Sequence, residues 1–391
     1  MLNRRILRVK AMQALYGFFT AQESLKSVVR ERLESQYYPD PAKDDFTESG
    51  QFTKRRKQAS ELFKDHLIDR KVPLAEGSDP EIVDAAQNAI SSYHTEVISE
   101  KKTIRKAMIA DIESIRKLYI KLLSLPLELA ELDRREKAKK ENAHIQKASS
   151  WKWNFLKNTL IDDLTKNEAF NTAIIDLKVS WTAEMDQVKY WYKEIFKKDE
   201  TIVAYQFLDN PTEEEHHQIL IYIFKKVIFK NESIDEFFDE SDLRWSENKS
   251  ILKSLLVKTF QDYSKDLDPA YELKEVIKNS EDDLEFFEQL FDETLKKNDF
   301  LNEIIEKKVQ NWDYSRVALT DAIILKMALT EMMHFHSIPI KVSINEFIEI
   351  SKEYSTPKSK QFINGILDVL VNELTSEGVI KKSGRGLIDN K

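Results

Sequence analysis

Glycine is nearly absent from the body of this 391-residue chain, and that scarcity restricts the possible folds more than any other feature. The sequence holds only 7 glycines, and Gly378, Gly384 and Gly386 all lie close to its end. Tight turns between strands and loops that cradle phosphate groups both depend on glycine. The scarcity therefore disfavours a sheet-rich fold and a glycine-rich nucleotide loop. With 33% charged residues and long runs of Leu, Ile, Glu and Lys, the sequence predicts an all-α protein.

The chain contains no cysteine, which excludes disulfides, thiolate zinc sites and cysteine nucleophiles and fits a reducing compartment. No apolar run is long enough to cross a bilayer, so we expect no membrane span. The formal net charge of −8 argues against a protein that coats nucleic acid with its whole surface. The charge is uneven, because Arg4, Arg5, Arg8 and Lys10 all precede the first acidic residue, Glu23. The sequence therefore leaves room for a local basic site on an acidic body.

The first predicted helix, over residues 3–20, carries its basic residues on one face. At the helical spacing, Arg4, Arg5 and Arg8 lie within an arc of roughly 100° beside the buried stripe, and Tyr16 extends the same face. Guanidinium groups bind phosphates with paired hydrogen bonds, and a tyrosine ring can stack on a base. The residues alone allow two interpretations, a nucleic-acid site or an exposed helix face that is basic by accident.

The stretch QFINGILDVLVNEL, residues 361–374, combines a turn signal with a helical pattern. Asn364-Gly365 is typical of a β-hairpin turn, but the flanking residues do not alternate between apolar and polar as they do in half-buried strands. The apolar residues recur at helical spacing and form one stripe, namely Ile363, Ile366, Leu367, Leu370, Val371 and Leu374. The pattern predicts a helix that contains Gly365, at a cost of roughly 1 kcal/mol relative to alanine.

Catalytic motifs are scarce. The sequence has no P-loop, GxGxxG, HExxH or GxSxG motif. Glu-x-x-His, which supplies ligands in di-iron helical bundles, occurs three times, at Glu213/His216, Glu214/His217 and Glu331/His334. The first two pairs lie in an acidic cluster at a predicted helix start, and the third lies near a helix end. A helical-bundle metal enzyme and a scaffold that binds only proteins are the alternative functions.

Three segments, in this order along the chain, resemble the NusB family of bacterial transcription antitermination factors. RRILRVKAMQALYGF (4–18) resembles the arginine-rich first helix of that family. The segment SRVALTDAIILKMALTEMMHFHSIPIKVSINEFIEISKEY (315–354) resembles its next block, and SKQFINGILD (359–368) resembles its final helix. The resemblance covers residues 1–20 and about 282–375.

The resemblance implies an all-α, NusB-like helical bundle with a large helical insertion, similar to the long form in Bacteroidetes-type bacteria. Residues 1–20 and 282–375 would form the RNA-binding core. Residues 21–281 would be the helical insertion, and residues 376–391 would be a flexible tail.

The resemblance also implies a function without enzyme activity or cofactors. Family members bind boxA, a short single-stranded RNA element in ribosomal RNA leaders, together with NusE, which is also a small-subunit ribosomal protein. They act in the transcription elongation complex with RNA polymerase, in the cytoplasm. We therefore expect an RNA-binding antitermination factor.

Transferred to this sequence, the resemblance assigns Arg4, Arg5 and Arg8 to RNA phosphates. It implies that Tyr16 and Phe362 stack on bases or border them.

Three residues near the C-terminus complete the predicted site. Asn364 and Asp368 lie one helical turn apart and would share a polar face at the edge of the RNA surface. Glu331 would help to form the surface for NusE or RNA. We expect Gly365 to let a neighbouring helix backbone approach closely, which is a structural role.

Overall fold

The computed structural model describes residues 2–39, 49–68, 79–142, 151–261, 280–309 and 317–388. All regular elements within these ranges are helical, as the sequence predicted. The α-helices are α1 (Leu2–Ser35), α2 (Ser49–Ile68), α3 (Pro80–Asn142), α4 (Thr159–Lys166), α5 (Glu168–Asp176), α6 (Met185–Trp191), α7 (Glu200–Phe207), α8 (Glu213–Tyr222), α9 (Glu232–Ser241), α10 (Trp245–Gln261), α11 (Ser280–Lys296), α12 (Asn298–Lys308), α13 (Leu319–His334), α14 (Ile340–Tyr354) and α15 (Ser359–Ser376). Within the described ranges, no helix combines the length and apolarity that a membrane crossing needs.

The chain divides into two compact units. The terminal unit consists of Met1–Ile109 and Glu281–Lys391, and the central unit consists of Ala110–Ser280. The unit formed by the two chain ends is thus larger than the core predicted from the resemblance, because residues 21–109 belong to it. That smaller core stays a prediction.

Helix α13 is the centre of the terminal unit and contacts α1, α12, α14 and α15. Every residue from Asp321 to Met333 is buried, including the polar ones. A helix surrounded by other helices on all sides must be apolar nearly all round, and the run AIILKMAL within α13 meets this requirement.

Helix α1 ends at Ser35, well beyond the predicted end at residue 20. Its second half is anchored by Val29 and Leu33, which pack against Phe63 of α2 and Tyr93 of α3 in a separate apolar cluster. This cluster explains the extra length, because burial stabilises a helix whose exposed positions are polar.

The segment after α15 lies against the C-terminal end of α13. Nζ of Lys382 donates a hydrogen bond to the carbonyl oxygen of Phe335 at 3.0 Å. A Cβ atom on Gly386 would lie only 2.1 Å from the carbonyl oxygen of His336, so glycine is required there. The flexible tail predicted for residues 376–391, of which the last three lie outside the described residues, stays a prediction.

Candidate nucleic-acid interface

Arg8 on α1 and Glu331 on α13 form a buried ion pair. Nε and Nη2 of Arg8 donate hydrogen bonds to the two carboxylate oxygens of Glu331, at 2.7 and 2.8 Å. The hydroxyl of Ser343 on α14 donates a further hydrogen bond to Glu331, at 2.7 Å. Only 3% of the Arg8 side chain and none of the Glu331 side chain is exposed. Removal of two charges from water is tolerated when the geometry is bidentate and further hydrogen bonds are made.

Arg5 makes a second bidentate pair, with Glu346 on α14. Its Nε and Nη2 donate to the two carboxylate oxygens at 2.7 and 2.9 Å. Burial acts to raise the pKa of Glu346, but the hydrogen bonds from Arg5 and the nearby charge of Arg8 outweigh it, so that pKa is lowered. The Glu346 carboxylate is therefore held in its charged form.

Arg4 is as exposed as Arg5. Its Nε donates a hydrogen bond to Asp283 on α11 at 3.1 Å. The guanidinium carbon of Arg4 lies 5.0 Å from the ring centroid of Phe286, and that of Arg8 lies 5.4 Å from the same ring. The first turns of α1 therefore dock through their arginines onto an acidic and aromatic surface of the terminal unit.

Of the three arginines predicted to contact phosphates, two are accessible and one is buried. Arg4 and Arg5 each keep 40% of their side chains exposed and retain N–H groups beyond those donated to carboxylates. Arg8 is enclosed and cannot reach a phosphate in this structure. Glu331 is equally enclosed, so the role predicted for it at a partner surface does not fit its position. Arg8 and Glu331 instead fasten α1 to α13.

Tyr16 lies on the accessible side of α1, with 47% of its surface exposed. Further along α1, Phe19 lines a cavity of about 1760 Å³ within the terminal unit, together with Lys26, Lys64 and Lys326. Nζ of Lys326 lies 4.8 Å from the ring centroid of Phe19. Burial lowers the pKa of Lys326 to about 8. The cavity is also lined by the carboxylates of Glu23 and Asp299, so its charge is mixed.

Helix α15 confirms the predicted helical interpretation of the Asn-Gly stretch. Asn364 donates a hydrogen bond to Asp368 at 3.0 Å, so these two predicted site residues do share a polar face. Phe362 is half-buried. Gly365 is exposed, and a Cβ atom placed on it would have no neighbour within 4 Å among the described residues. The expected close approach of another helix at Gly365 is therefore wrong.

The alternative metal site is not favoured. The Glu331 carboxylate is already taken by Arg8, and Nδ1 of His216 lies 2.7 Å from the hydroxyl of Tyr205. Within the described ranges, no group of three or more His, Asp or Glu side chains is arranged to hold a metal ion.

Comparison with known proteins places the similarity in the C-terminal part of the chain. Residues 248–372 match the family model described as the NusB family. Relatives named transcription antitermination protein NusB occur in Salinibacter ruber (48% identity, 27% of this chain, 65% of that protein), Chloroherpeton thalassium (52%, 22% and 40%) and Natranaerobius thermophilus (45%, 19% and 53%). The chain thus spans between 40% and 65% of the length of these relatives. No solved structure matches the chain significantly.

Proposed function

We propose that this protein is an RNA-binding transcription antitermination factor acting on ribosomal RNA operons, because residues 248–372 match the family model described as the NusB family. The family match, which includes all of α13 and α14, carries the proposal. The proposed ligand is boxA-type single-stranded RNA of the ribosomal RNA leader, bound together with NusE. The complex acts with RNA polymerase during elongation, in the cytoplasm, and no catalytic step or cofactor is part of the proposal.

The proposed RNA surface on α1 consists of Arg4, Arg5 and Tyr16. The two arginines are partly exposed beside the carboxylates of Asp283 and Glu346, and each has N–H donors left for a phosphate. Tyr16 offers an accessible ring for base stacking. RNA phosphates would compete with the carboxylates for the arginines, which makes binding sensitive to salt.

On α15, the proposed site keeps Phe362, Asn364 and Asp368. The Asn364–Asp368 pair leaves the Asn364 carbonyl and the second Asp368 oxygen to accept hydrogen bonds from base edges. The open surface at Gly365 gives an RNA backbone or a protein partner room to approach this face closely.

Binding of labelled boxA-like leader RNA, measured with and without NusE over a series of salt concentrations, tests the proposal. We expect preference for boxA over a scrambled RNA and tighter binding when NusE is present. Equal binding of both RNAs at every salt concentration, with no effect of NusE, would reject it.

A matched pair of variants tests the role of Arg5. Arg5→Gln and Glu346→Gln both break the same ion pair, but only Arg5→Gln removes the cation. We expect Arg5→Gln to weaken RNA binding and to reduce the salt slope by roughly 0.7, the value for one phosphate of a single strand. Glu346→Gln should bind as well as the unmodified protein or better. Equal losses of RNA affinity in the two variants would show that the ion pair matters only for folding.

A further inference from the structure

A surface of the central unit carries three aromatic rings, of which Trp151 contacts both others. The ring centroids of Trp151 and Trp153 lie 6.2 Å apart, and those of Trp151 and Phe207 lie 6.0 Å apart, both in edge-to-face arrangement. Phe207 is 44% exposed, and both tryptophans are half-buried. Large aromatic side chains that remain accessible in a cluster are typical of binding surfaces, because their burial by a partner is strongly favourable.

The backbone that carries these rings is held in a strained conformation. Trp153 has φ 57° and ψ 44°, which is the left-handed region that bulky residues avoid. Hydrogen bonds to the end of α7 hold the segment there. The Lys152 N–H donates to the carbonyl oxygen of Gln206 at 2.7 Å, and the Asn154 side chain donates to that of Tyr205 at 2.7 Å. Strain of this kind persists where the surroundings enforce it, which is commonly at functional sites.

Lysines surround the aromatic rings. Nζ of Lys140 lies 5.0 Å from the ring centroid of Trp153, and Nζ of Lys197 lies 5.5 Å from that of Trp151. Lys152, between the two tryptophans in sequence, and the nearby exposed Lys157 add two more positive charges.

The carboxylates that contact these lysines do not balance them. Glu136 pairs with both Lys140 and Lys197, and Asp209 pairs with Lys152. Asp133, which is buried, also interacts with Lys197. Among the described residues, four lysines are thus opposed by these three carboxylates, on a chain whose net charge is −8. An excess of cations beside accessible aromatic rings complements a flexible strand of phosphates and bases.

We propose that the central unit has a second RNA-binding surface for single-stranded RNA, formed by Trp151, Trp153 and Phe207 with Lys140, Lys152, Lys157 and Lys197. Bases stack on the rings, and the ammonium groups contact phosphates. This inference rests on the proposed RNA-binding function and assigns part of it to the central unit. A strand that contacts both surfaces is bound more tightly than by either surface alone, because the second contact is intramolecular.

The test uses the full chain and a labelled 20-nucleotide oligouridine, with boxA-like RNA measured in parallel. Trp153→Ala should weaken oligouridine binding roughly 5- to 100-fold, the range for loss of one stacked base. Its control is Tyr190→Ala, which removes a 50% exposed aromatic ring elsewhere in the central unit. Circular dichroism of each variant establishes that it is folded.

Charge variants provide a test that does not depend on the strained position. Lys140→Gln combined with Lys157→Gln should reduce the salt slope by roughly 1.4, for two phosphates of a single strand. Lys166→Gln combined with Lys189→Gln, two exposed lysines of the same unit, should leave the slope unchanged.

Three outcomes would overturn this inference. The first is that Trp153→Ala and the Lys140→Gln, Lys157→Gln variant both bind oligouridine as the unmodified protein does, while boxA binding still depends on Arg5. In that case the proposed function stands and only the second surface is rejected. The second is retained RNA binding with loss of NusE binding, which would make the surface a protein-binding site. The third is no RNA binding by the unmodified protein, which would reject the proposed function as well.

Discussion

Arg8 and Glu331 form a bidentate ion pair that connects α1 to α13 across 323 residues of sequence. Both side chains are almost completely enclosed. The pair therefore fixes how the first helix docks on the central helix of the terminal unit. It also leaves the neighbouring Arg4 and Arg5 at the surface, where they can meet a ligand.

We expect Glu331→Gln to destabilise the terminal unit by up to roughly 3–5 kcal/mol. The buried Arg8 then loses its bidentate counter-charge and keeps only Glu346, whose Oε2 lies 3.7 Å from Nη1 of Arg8 and is shared with Arg5. The double variant Arg8→Met, Glu331→Leu should be much less destabilised, because both buried charges are removed together. Urea unfolding followed by circular dichroism measures both effects.

Lys307→Gln on α12 serves as the control for this prediction, because Lys307 and Glu303 are both more than 60% exposed and their pair should contribute less than about 1 kcal/mol. A loss of stability in Glu331→Gln no larger than that in Lys307→Gln would contradict the anchoring role.

Gly365→Ala should stabilise the protein by about 1 kcal/mol, because alanine favours the helix and the added methyl group meets no atom within 4 Å in the part of the chain that the structure describes. We expect a rise in melting temperature of roughly 2–4 °C. Gly386→Ala is the matched comparison and should lower the melting temperature, because its Cβ would clash with the carbonyl oxygen of His336. A fall for Gly365→Ala would mean that this face is covered by another group.

The helical class and the helix around Gly365 could be predicted from the sequence, because both depend on local composition and on the spacing of apolar residues. The surroundings of Gly365 could not be predicted in the same way. A glycine inside a helix has the same sequence signature whether it faces a neighbouring helix or solvent. Only the position of the other helices decides between the two.

The ion-pair partners of the arginines also could not be predicted from the sequence. The pattern predicted that Arg5 and Arg8 share a face with Tyr16, but Glu346 lies 341 residues from Arg5. Pairing over that separation is set by the packing of α1 against α13 and α14. With 68 acidic residues in the chain, composition gives no means of selecting one.

Lys326 should make stability depend on pH. Burial lowers its pKa from 10.5 to about 8, although Asp299 and Glu306 act in the opposite direction. Below pH 8, both the folded and the unfolded states carry the proton, and the folded state bears the full penalty of the buried charge. Between pH 8 and 10.5, the folded protein loses this proton before the unfolded protein does. The free energy of unfolding should therefore rise with pH over this range as the penalty at Lys326 is relieved.

Lys326→Met removes that penalty. We expect the variant to be more stable at pH 7 by roughly 1–3 kcal/mol, with a smaller gain at pH 10. The comparison must be made as a difference from the unmodified protein, because the pKa of Lys382 is also lowered to about 8. If the variant and the unmodified protein differ in free energy of unfolding by the same amount at pH 7 and pH 10, the pKa of Lys326 is not lowered by folding.

Our last prediction concerns removal of the central unit. Lys101 pairs with Asp292, and Arg105 pairs with both Glu288 and Asp292, so ion pairs connect α3 to α11 within the terminal unit, a few residues from where the chain leaves and re-enters it. The two places where the chain leaves and re-enters this unit should therefore lie close together, as domain insertions require.

A variant in which residues 110–280 are replaced by a short Gly/Ser linker should be helical, melt cooperatively and bind boxA RNA. Its affinity should be lower than that of the full chain, because the proposed aromatic surface is lost. A shorter variant that joins residues 1–20 to 282–375 should be less stable, because it lacks the cluster around Val29 and Phe63. Equal stability of the two variants would show that the smaller predicted core folds without α2 and α3. Failure of both to fold would make the central unit part of one indivisible structure.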